Sequence, residues 1–214
     1  MALVIGIEPQ PPGTTFLRQI IIKQRVDLDH GLRNHLFVHQ SQITLKAMLF
    51  SVLLPTCLLL STLLCGLVTG IILTYAIVVM PGLSRLDDRA FIRAFQVTDG
   101  IIQNRQMVFM LVWLGSIFLV VCTMGIAFLI LNGNIRWLII VTGAVYLLGV
   151  QGITIFIHLP LNDRIQSVKV DEVDDETVHQ QRLIFEAKWN FFNRVRTALG
   201  FCATAMFLFA VSVI

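Results

Sequence analysis

The sequence predicts an all-α protein, a polytopic membrane four-helix bundle with two amphipathic interfacial helical segments on one face. Composition indicates this class, because 56% of the residues are hydrophobic and only 14% are charged, whereas a soluble domain carries about 25% charged residues. The mean hydropathy is +0.80. A bilayer core of about 30 Å needs roughly 20 apolar residues in a helix. Four stretches without Asp, Glu, Lys or Arg meet that need: 47–84, 106–135, 137–162 and 197–214.

Residues 1–46 precede these stretches and are predicted to be a poorly structured or interfacial N-terminal extension. Apolar residues from Phe16 to Ile21 recur at helical spacing beside basic side chains, a pattern typical of a short helix on a membrane surface. Residues 47–214 are predicted to form the four-span membrane domain.

The first apolar stretch is longer than one simple span. Its 38 uncharged residues would extend about 57 Å as a helix at 1.5 Å per residue. Because Pro55 removes a helix donor, we place the first span at 54–80. Gly66 and Gly70 form a G-x3-G pair, which lets a second helix approach closely. The second helix could belong to the same chain or to another copy of it, in which case the pair would form a homo-oligomer.

The next segments alternate polar and apolar character. Pro81-Gly82 ends the first span, and Ser84 with Asp87 makes a capping signal for an amphipathic helix that continues to residue 103. The second span is placed at 107–131 and the third at 137–159, joined by a tight turn at residues 132–134. Three mildly polar residues of the third span either bond neighbouring helices or line a pocket: Tyr146, Gln151 and Thr154.

The last stretch is predicted to be one helix from about Thr177 to the C-terminus. Acidic residues 171–176 precede it and complement the partial positive charge of a helix N-terminus. Steps of three and four residues place one set of side chains on a single helical face: Arg182, Glu186, Trp189, Asn193 and Arg196. The fourth span is placed at 197–214, about 27 Å long, which just suffices to cross.

The two halves show a weak internal symmetry, which either a parallel repeat or the common pattern of membrane helices would produce. Pro81 corresponds to Pro160, and Asn104-Arg105 corresponds to Asn193-Arg194, each between apolar helices. Four spans place segments 81–106 and 160–196 on the same side of the membrane. Those segments hold ten of the lysines and arginines, against six on the other side. The positive-inside rule therefore predicts a plasma (inner) membrane protein with both segments in the cytoplasm.

Several functional classes lack their sequence signatures here. No charged residue lies in the middle of a span, which disfavours an ion-coupled carrier. No phosphate-binding glycine loop, catalytic Ser-His-Asp set or metal-spaced cluster occurs, and the four cysteines are scattered through the spans. We therefore expect no metal, no cofactor and no nucleic-acid partner; membrane lipid is the expected partner.

The remaining candidate site is a cluster of polar residues at one membrane–water interface. Its members are polar or aromatic and flank the ends of spans: Gln96, Asp99, Gln103, Asn104, Arg105, Asn162, Trp189, Asn193, Arg194 and Arg196. Interfacial arginines and tryptophans often only anchor helices to headgroups. Their convergence from two helix pairs favours a site.

Three motifs resemble those of the anthrone-oxygenase-like family of small four-helix membrane proteins, largely a domain of unknown function. They are Tyr75 through Pro81-Gly82-Leu83 with Phe95-Gln96, then Leu159-Pro160-Leu161-Asn162, and Trp189 with Asn193, Arg196 and Thr197. The resemblance covers about residues 60–214. It departs at Arg194 and Asp99, where many relatives carry His and Asn.

The resemblance implies a cofactor-independent oxygenase acting on a lipophilic aromatic, an oxidoreductase that turns anthrones into anthraquinones. Such a reaction needs a base, donors for the developing enolate and a dry aromatic slot. Asp99 is the expected base, with His158 as a substitute. Arg196, Asn193 and Gln96 would hold the anion, Trp189 would stack on the ring, and Asn104 and Asn162 would complete substrate binding.

A non-catalytic scaffold or lipid-binding protein is the alternative function. A closed, apolar pocket behind Trp189 and Asn193 would favour the enzyme. A solid core with arginines turned toward the headgroups would favour the scaffold.

Overall fold

A computed structural model describes residues 23, 25, 33 and 36–214 of the chain. Contacts divide the chain into two units, Met1–Met48 and Leu49–Ile214. In the first unit, residues 36–48 are helical. Most of the predicted N-terminal extension, including Phe16 to Ile21, lies outside the described residues.

The second unit is helical, and the described residues include no β-strand. Its helices are α1 (49–83), α2 (Asp88–Gln103), α3 (Met107–Ile130), α4 (Gly133–Gln166) and α5 (Asp175–Val213). Four helical stretches are long and apolar enough to cross a membrane: Leu36–Leu83, Met107–Ile130, Gly133–Gln166 and Asp175–Val213. The predicted all-α class is confirmed, and the four helices that are long and apolar enough to cross a membrane indicate a multi-pass membrane protein.

The long helices pack around a shared apolar interior. Helix α1 contacts α3 and α5, and α4 contacts the same two helices. The interior is filled by buried side chains from all four, among them Leu58, Val120, Tyr146 and Phe207. Helices α1 and α5 approach closely at Gly200, where an added Cβ would lie 2.6 Å from Thr69 Oγ1.

The glycine pair of the first span falls partly on that α1–α5 contact. An added Cβ at Gly66 would touch the Thr204 methyl at 3.6 Å, whereas one at Gly70 would meet nothing within 4 Å. Gly66 therefore packs within the chain, and pairing of two copies through Gly66 and Gly70 stays a prediction.

Two prolines widen their helices at matching places. Residues Tyr75–Val79 are π-helical before Pro81, and Thr154–His158 are π-helical before Pro160. In each, the residue before proline bonds the carbonyl five residues back. Because a proline ring clashes with the carbonyl four residues back, the wider turn relieves that clash. The predicted Pro81–Pro160 correspondence thus has a structural counterpart.

The two halves differ after this point. Helix α5 is unbroken from Asp175 to Val213, as predicted. In the first half the chain breaks between α2 and α3, where Arg105 has a φ of 59°, in the left-handed region that non-glycine residues seldom adopt. Asn104, which corresponds to Asn193 in the repeat, is therefore exposed at the end of α2, while Asn193 is buried inside α5.

Helix α2, the end of α4 and the first half of α5 form a polar-faced cap, defined here as residues 84–103 and 160–192. Its core is aromatic, with Phe95 against Phe185 at 4.6 Å and against Trp189 at 5.9 Å between ring centroids. Asp87 caps α2 by accepting a hydrogen bond from the Ala90 N–H at 2.9 Å, whereas Ser84 bonds the Pro81 carbonyl instead.

Arginines tie the acidic loop of the cap to α2. The Arg89 guanidinium contacts Asp175 at 2.8 Å and donates to the carbonyls of Val170 and Val173. From α5, Arg182 donates to Asp88 at 2.9 Å. These contacts hold α2 against the first half of α5 and against the acidic loop that precedes it.

The fold predicts that Ser84 and Ser167 lie on one side of the membrane, because both are exposed at the cap end. In a cysteine-free background, Ser84→Cys and Ser167→Cys should label identically with a membrane-impermeant thiol reagent in intact cells. Asn132→Cys, in the exposed α3–α4 turn, is the control and should show the opposite accessibility. Labelling of Ser84→Cys without Ser167→Cys would contradict this topology.

Candidate active-site cavity

A cavity of about 380 Å³ lies where the cap meets the membrane helices. Residues of all five helices contribute to its lining, which is largely apolar: Ile71, Ile72, Tyr75, Asp99, Ile102, Gln103, Arg105, Phe109, Met110, Trp113, Leu114, Ile117, Thr154, Ile155, His158, Leu159, Asn162, Trp189 and Arg196. The volume is within the range of small-ligand pockets. The polar groups gather where α2, α4 and α5 converge.

Five of the eight predicted site residues line this cavity: Asp99, His158, Asn162, Trp189 and Arg196. The other three lie around it. Gln96 donates to the carbonyls of Ile165 and Val168 at 2.8 and 2.9 Å and so holds the end of α4. Asn104 is exposed. Asn193 is fully buried behind Arg196.

Arg196 is the central cation of the cavity. It is only 6% exposed, although a buried charge needs compensating partners. Its Nε donates to Asn193 Oδ1 at 3.0 Å and its Nη1 to Thr154 Oγ1 at 3.0 Å. The guanidinium also lies 5.6 Å from the Trp189 ring centroid, within cation–π distance.

No carboxylate among the described residues pairs with Arg196, and Nη2 receives no hydrogen-bond partner from them. Asn193 fixes the guanidinium from behind, because its own Nδ2 is held by the Ile72 carbonyl at 3.1 Å. This arrangement leaves a preoriented positive donor facing the cavity, suited to a ligand oxygen that carries negative charge.

Asp99 lies across the cavity in a cage of carboxamides. Oδ1 accepts from Asn162 Nδ2 at 2.8 Å, and Oδ2 accepts from Gln103 Nε2 at 2.6 Å and from Gln166 Nε2 at 3.2 Å. Burial raises the pKa of the Asp99 carboxyl above its ordinary value, while these three hydrogen bonds act in the opposite direction. A carboxylate with a raised pKa is a better proton acceptor than a solvated one.

Asn162 connects the carboxylate to the aromatic wall. Besides donating to Asp99, it accepts a hydrogen bond from Trp189 Nε1 at 3.0 Å. Trp189 in turn packs against Tyr75 at 5.7 Å and edge-on against His158 at 4.9 Å between centroids. The Pro-Leu-Asn element of α4 thus sets the position of the indole ring.

His158 is a buried imidazole in the cavity wall. Neither ring nitrogen forms a hydrogen bond of ordinary geometry with a described residue, although the side chain is buried. An unpaired buried polar group is costly. Since the imidazole lines the cavity, a ligand can supply the missing hydrogen bond.

The sequence indicates the role of some cavity residues only weakly. Thr154 was one of three polar residues of the third span; the other two, Tyr146 and Gln151, bond each other and Ser116 deeper in the interior. Tyr75 was recognised only as the start of a motif. Gln166, the third amide on Asp99, had no signal, because its register is set by the fold of the α4 end.

None of the described residues form a group of three or more His, Cys, Asp or Glu that could hold a metal ion. The polar lining of the cavity instead consists of two guanidinium groups, an imidazole, a carboxylate, a phenol, a hydroxyl, an indole N–H and carboxamides. These groups can move a proton and stabilise an anion.

Replacing Asn162 by alanine should destabilise the protein. It leaves the Trp189 N–H without its acceptor and removes one donor from Asp99, at a cost of about 1–3 kcal/mol. The measurement is thermal unfolding in nanodiscs, with tryptophan emission to report the indole environment. Asn104→Ala is the matched control, because Asn104 is exposed. Equal melting temperatures for the two variants would contradict the bridging role.

Asp99 should make stability depend on pH. Because its folded-state pKa is raised, its contribution is fully present below the ordinary carboxyl pKa and is lost as pH rises through the folded pKa. Asp99→Asn should therefore gain melting temperature relative to the parent as pH rises over the interval above the ordinary carboxyl pKa of about 4. A difference in melting temperature that stays constant over this interval would contradict the raised pKa.

Residues 104–206 match the family model described as anthrone oxygenase. The match is shorter than the resemblance predicted over residues 60–214, but it contains four of the predicted cavity residues: His158, Asn162, Trp189 and Arg196. No curated protein and no solved structure matches the chain. The match confirms the predicted resemblance, and from the start of α3 into the last turns of α5 this chain is similar to the anthrone oxygenase family.

Proposed function

We propose that the protein is a membrane oxygenase that oxidises a lipophilic aromatic substrate with molecular oxygen, without a cofactor. One observation carries the proposal: the buried Arg196 guanidinium, the His158 imidazole and the buried Asp99 carboxylate line the same largely apolar cavity. The similarity to anthrone oxygenases over residues 104–206 supports the same reaction class.

The proposed substrate has a methylene group made acidic by an adjacent aromatic carbonyl. A base removes one C–H proton, and the electron pair delocalises onto the carbonyl oxygen as an enolate. Arg196 stabilises that oxygen through Nη2 while Asn193 and Thr154 hold the guanidinium in place. A charged donor of this kind acts most strongly in a site that excludes water.

Molecular oxygen is the oxidant. The delocalised anion transfers electrons to oxygen, a C–O bond forms, and the resulting peroxide takes the proton held by the base. Removal of the second C–H proton breaks the O–O bond, which leaves a new carbonyl and releases one water. The two electron pairs of the C–H bonds thus reduce the oxygen molecule.

Two groups are proposed to carry the protons. Asp99 has the raised pKa and the fixed position that a base needs. His158 lies edge-on to Trp189, and neither of its ring nitrogens forms a hydrogen bond of ordinary geometry with a described residue. The indole of Trp189 and the ring of Tyr75 form the proposed aromatic wall of the slot.

A non-catalytic scaffold or lipid-binding protein remains the second candidate. The exposed apolar side chains along the membrane helices, such as Phe118 and Leu148, fit lipid contact under either function. The cavity favours the enzyme, because a scaffold does not need a buried cation facing an aromatic slot.

We also propose that the cap lies in the cytoplasm and that the membrane is the plasma (inner) membrane. The support is the excess of lysine and arginine in segments 81–106 and 160–196. Several of these arginines have structural partners in the cap, as Arg89 and Arg182 do, so their number reflects folding as well as orientation.

Arg196→Lys tests the function. Lysine keeps the charge but lacks the planar pair of donors, so losing one charged contact in the transition state should cost about 2 to 4 kcal/mol, or roughly 30- to 1000-fold in rate. Asn193→Ala should lower the rate in the same direction. The measurement is oxygen consumption with an anthrone-like substrate in nanodiscs, with melting temperature measured alongside.

Arg194→Lys is the matched control, because Arg194 is the exposed neighbour on the same helix and should keep its rate. No oxygen consumption by the parent protein across a panel of acidic aromatic ketones would overturn the proposal in favour of the scaffold. Equal rates for Arg196→Lys and Arg194→Lys would remove Arg196 from the reaction.

A further inference from the structure

The cavity reaches the outer surface of the membrane helices as well as the cap. It occupies the space between the first half of α3 and the last turns of α4. Three of its lining residues are also strongly exposed: Leu114 at 54%, Ile155 at 47% and Leu159 at 46%. These side chains therefore lie between the cavity and the outer, lipid-facing surface of the helices.

The opening between α3 and α4 lies within the membrane-spanning part of these helices. Leu114 is seven residues inside α3, about 10 Å along the helix axis from its start. Helix α3 packs against the Gly133–Ala144 part of α4 near their shared turn, while the cavity separates their opposite ends. The gap therefore faces the hydrocarbon region, where the surrounding solvent is acyl chain.

The cap side of the cavity has a different character. Gln103 and Arg105 line it there, both are exposed, and Gln103 is bonded to Asp99. A lipophilic molecule that used this side would leave the bilayer and pass polar, hydrated groups. Its apolar surface favours the membrane by about 25 cal/mol per Å², so the apolar gap is the lower-energy route.

We infer that the lipophilic ligand reaches the cavity from within the bilayer, through a lateral portal between α3 and α4 formed by Leu114, Ile155 and Leu159. This inference takes only the class of ligand, a lipophilic aromatic, from the proposed function. It predicts that an acyl chain or a membrane-dissolved probe has direct access to the interior wall at Trp189. Water and small polar species use the Gln103–Arg105 side.

The experiment uses Trp189 as an internal reporter. Trp113→Phe and Trp137→Phe together leave Trp189 as the single tryptophan, and the protein is placed in nanodiscs of phosphatidylcholine with brominated acyl chains. Bromine quenches tryptophan fluorescence on close approach. The portal variant adds Leu114→Phe and Ile155→Phe, which narrow the gap with bulkier side chains.

The control variant adds Leu111→Phe and Leu148→Phe instead. Both residues are exposed on α3 and α4 and neither lines the cavity, so the control carries the same chemical change on the same helices. We expect brominated lipid to quench Trp189 in the parent and in the control, and the portal variant to lose at least half of that quenching. Circular dichroism and melting temperature verify that each variant is folded.

Two results would overturn the portal. One is quenching of Trp189 by water-soluble acrylamide but not by brominated lipid, which would place access at the cap. The other is equal bromine quenching in the portal and control variants, or none in any protein. Because the quenching needs no turnover, a failed oxygen-consumption assay with positive quenching would reject the oxygenase and keep the portal.

Discussion

The buried guanidinium of Arg196 is the constraint on which the site depends. Removing a cation from water costs several kcal/mol even after relaxation, and no described carboxylate offsets that cost here. The protein compensates with neutral groups from two helices: the Thr154 hydroxyl of α4, and the Asn193 amide and Trp189 ring of α5. The Ile72 carbonyl of α1 holds the Asn193 amide in place, so Arg196 links α1, α4 and α5 through its partners.

A chain of hydrogen bonds extends the same constraint into the cap. Trp189, which lies against Arg196, donates to Asn162, and Asn162 donates to Asp99. The cation and the carboxylate therefore do not neutralise each other in an ion pair, yet their positions are linked through an indole and an amide. This separation keeps a positive and a negative group available on two walls of one cavity, which the proposed enolate chemistry uses.

The helical turns before the two prolines contribute side chains to the cavity wall. Pro81 and Pro160 each follow a π-helical turn, and those turns carry Tyr75, Thr154 and His158 into the cavity wall. The break at Arg105 then distinguishes the halves, because it lets α2 leave the axis of α3 and lie over the cavity, while α5 runs straight through. The two similar halves therefore contribute differently to this cavity.

The sequence by itself determined the all-α class, the membrane-crossing helices and the face of α5 that carries Trp189, Asn193 and Arg196. These features follow from local composition and from the 3.6-residue period, which act over short distances along the chain. The resemblance to anthrone oxygenases was readable for the same reason, since its motifs are short and contiguous.

Only the tertiary structure decided which polar residues share the cavity. Asn104 and Asn193 look equivalent in the sequence, but one is exposed at a helix end and the other is buried behind the guanidinium. Gln96 and Gln166 likewise gained their distinct roles from the register between α2 and the end of α4, residues about 70 apart in the chain. Such distinctions depend on long-range packing of helices, for which a helical period carries no information.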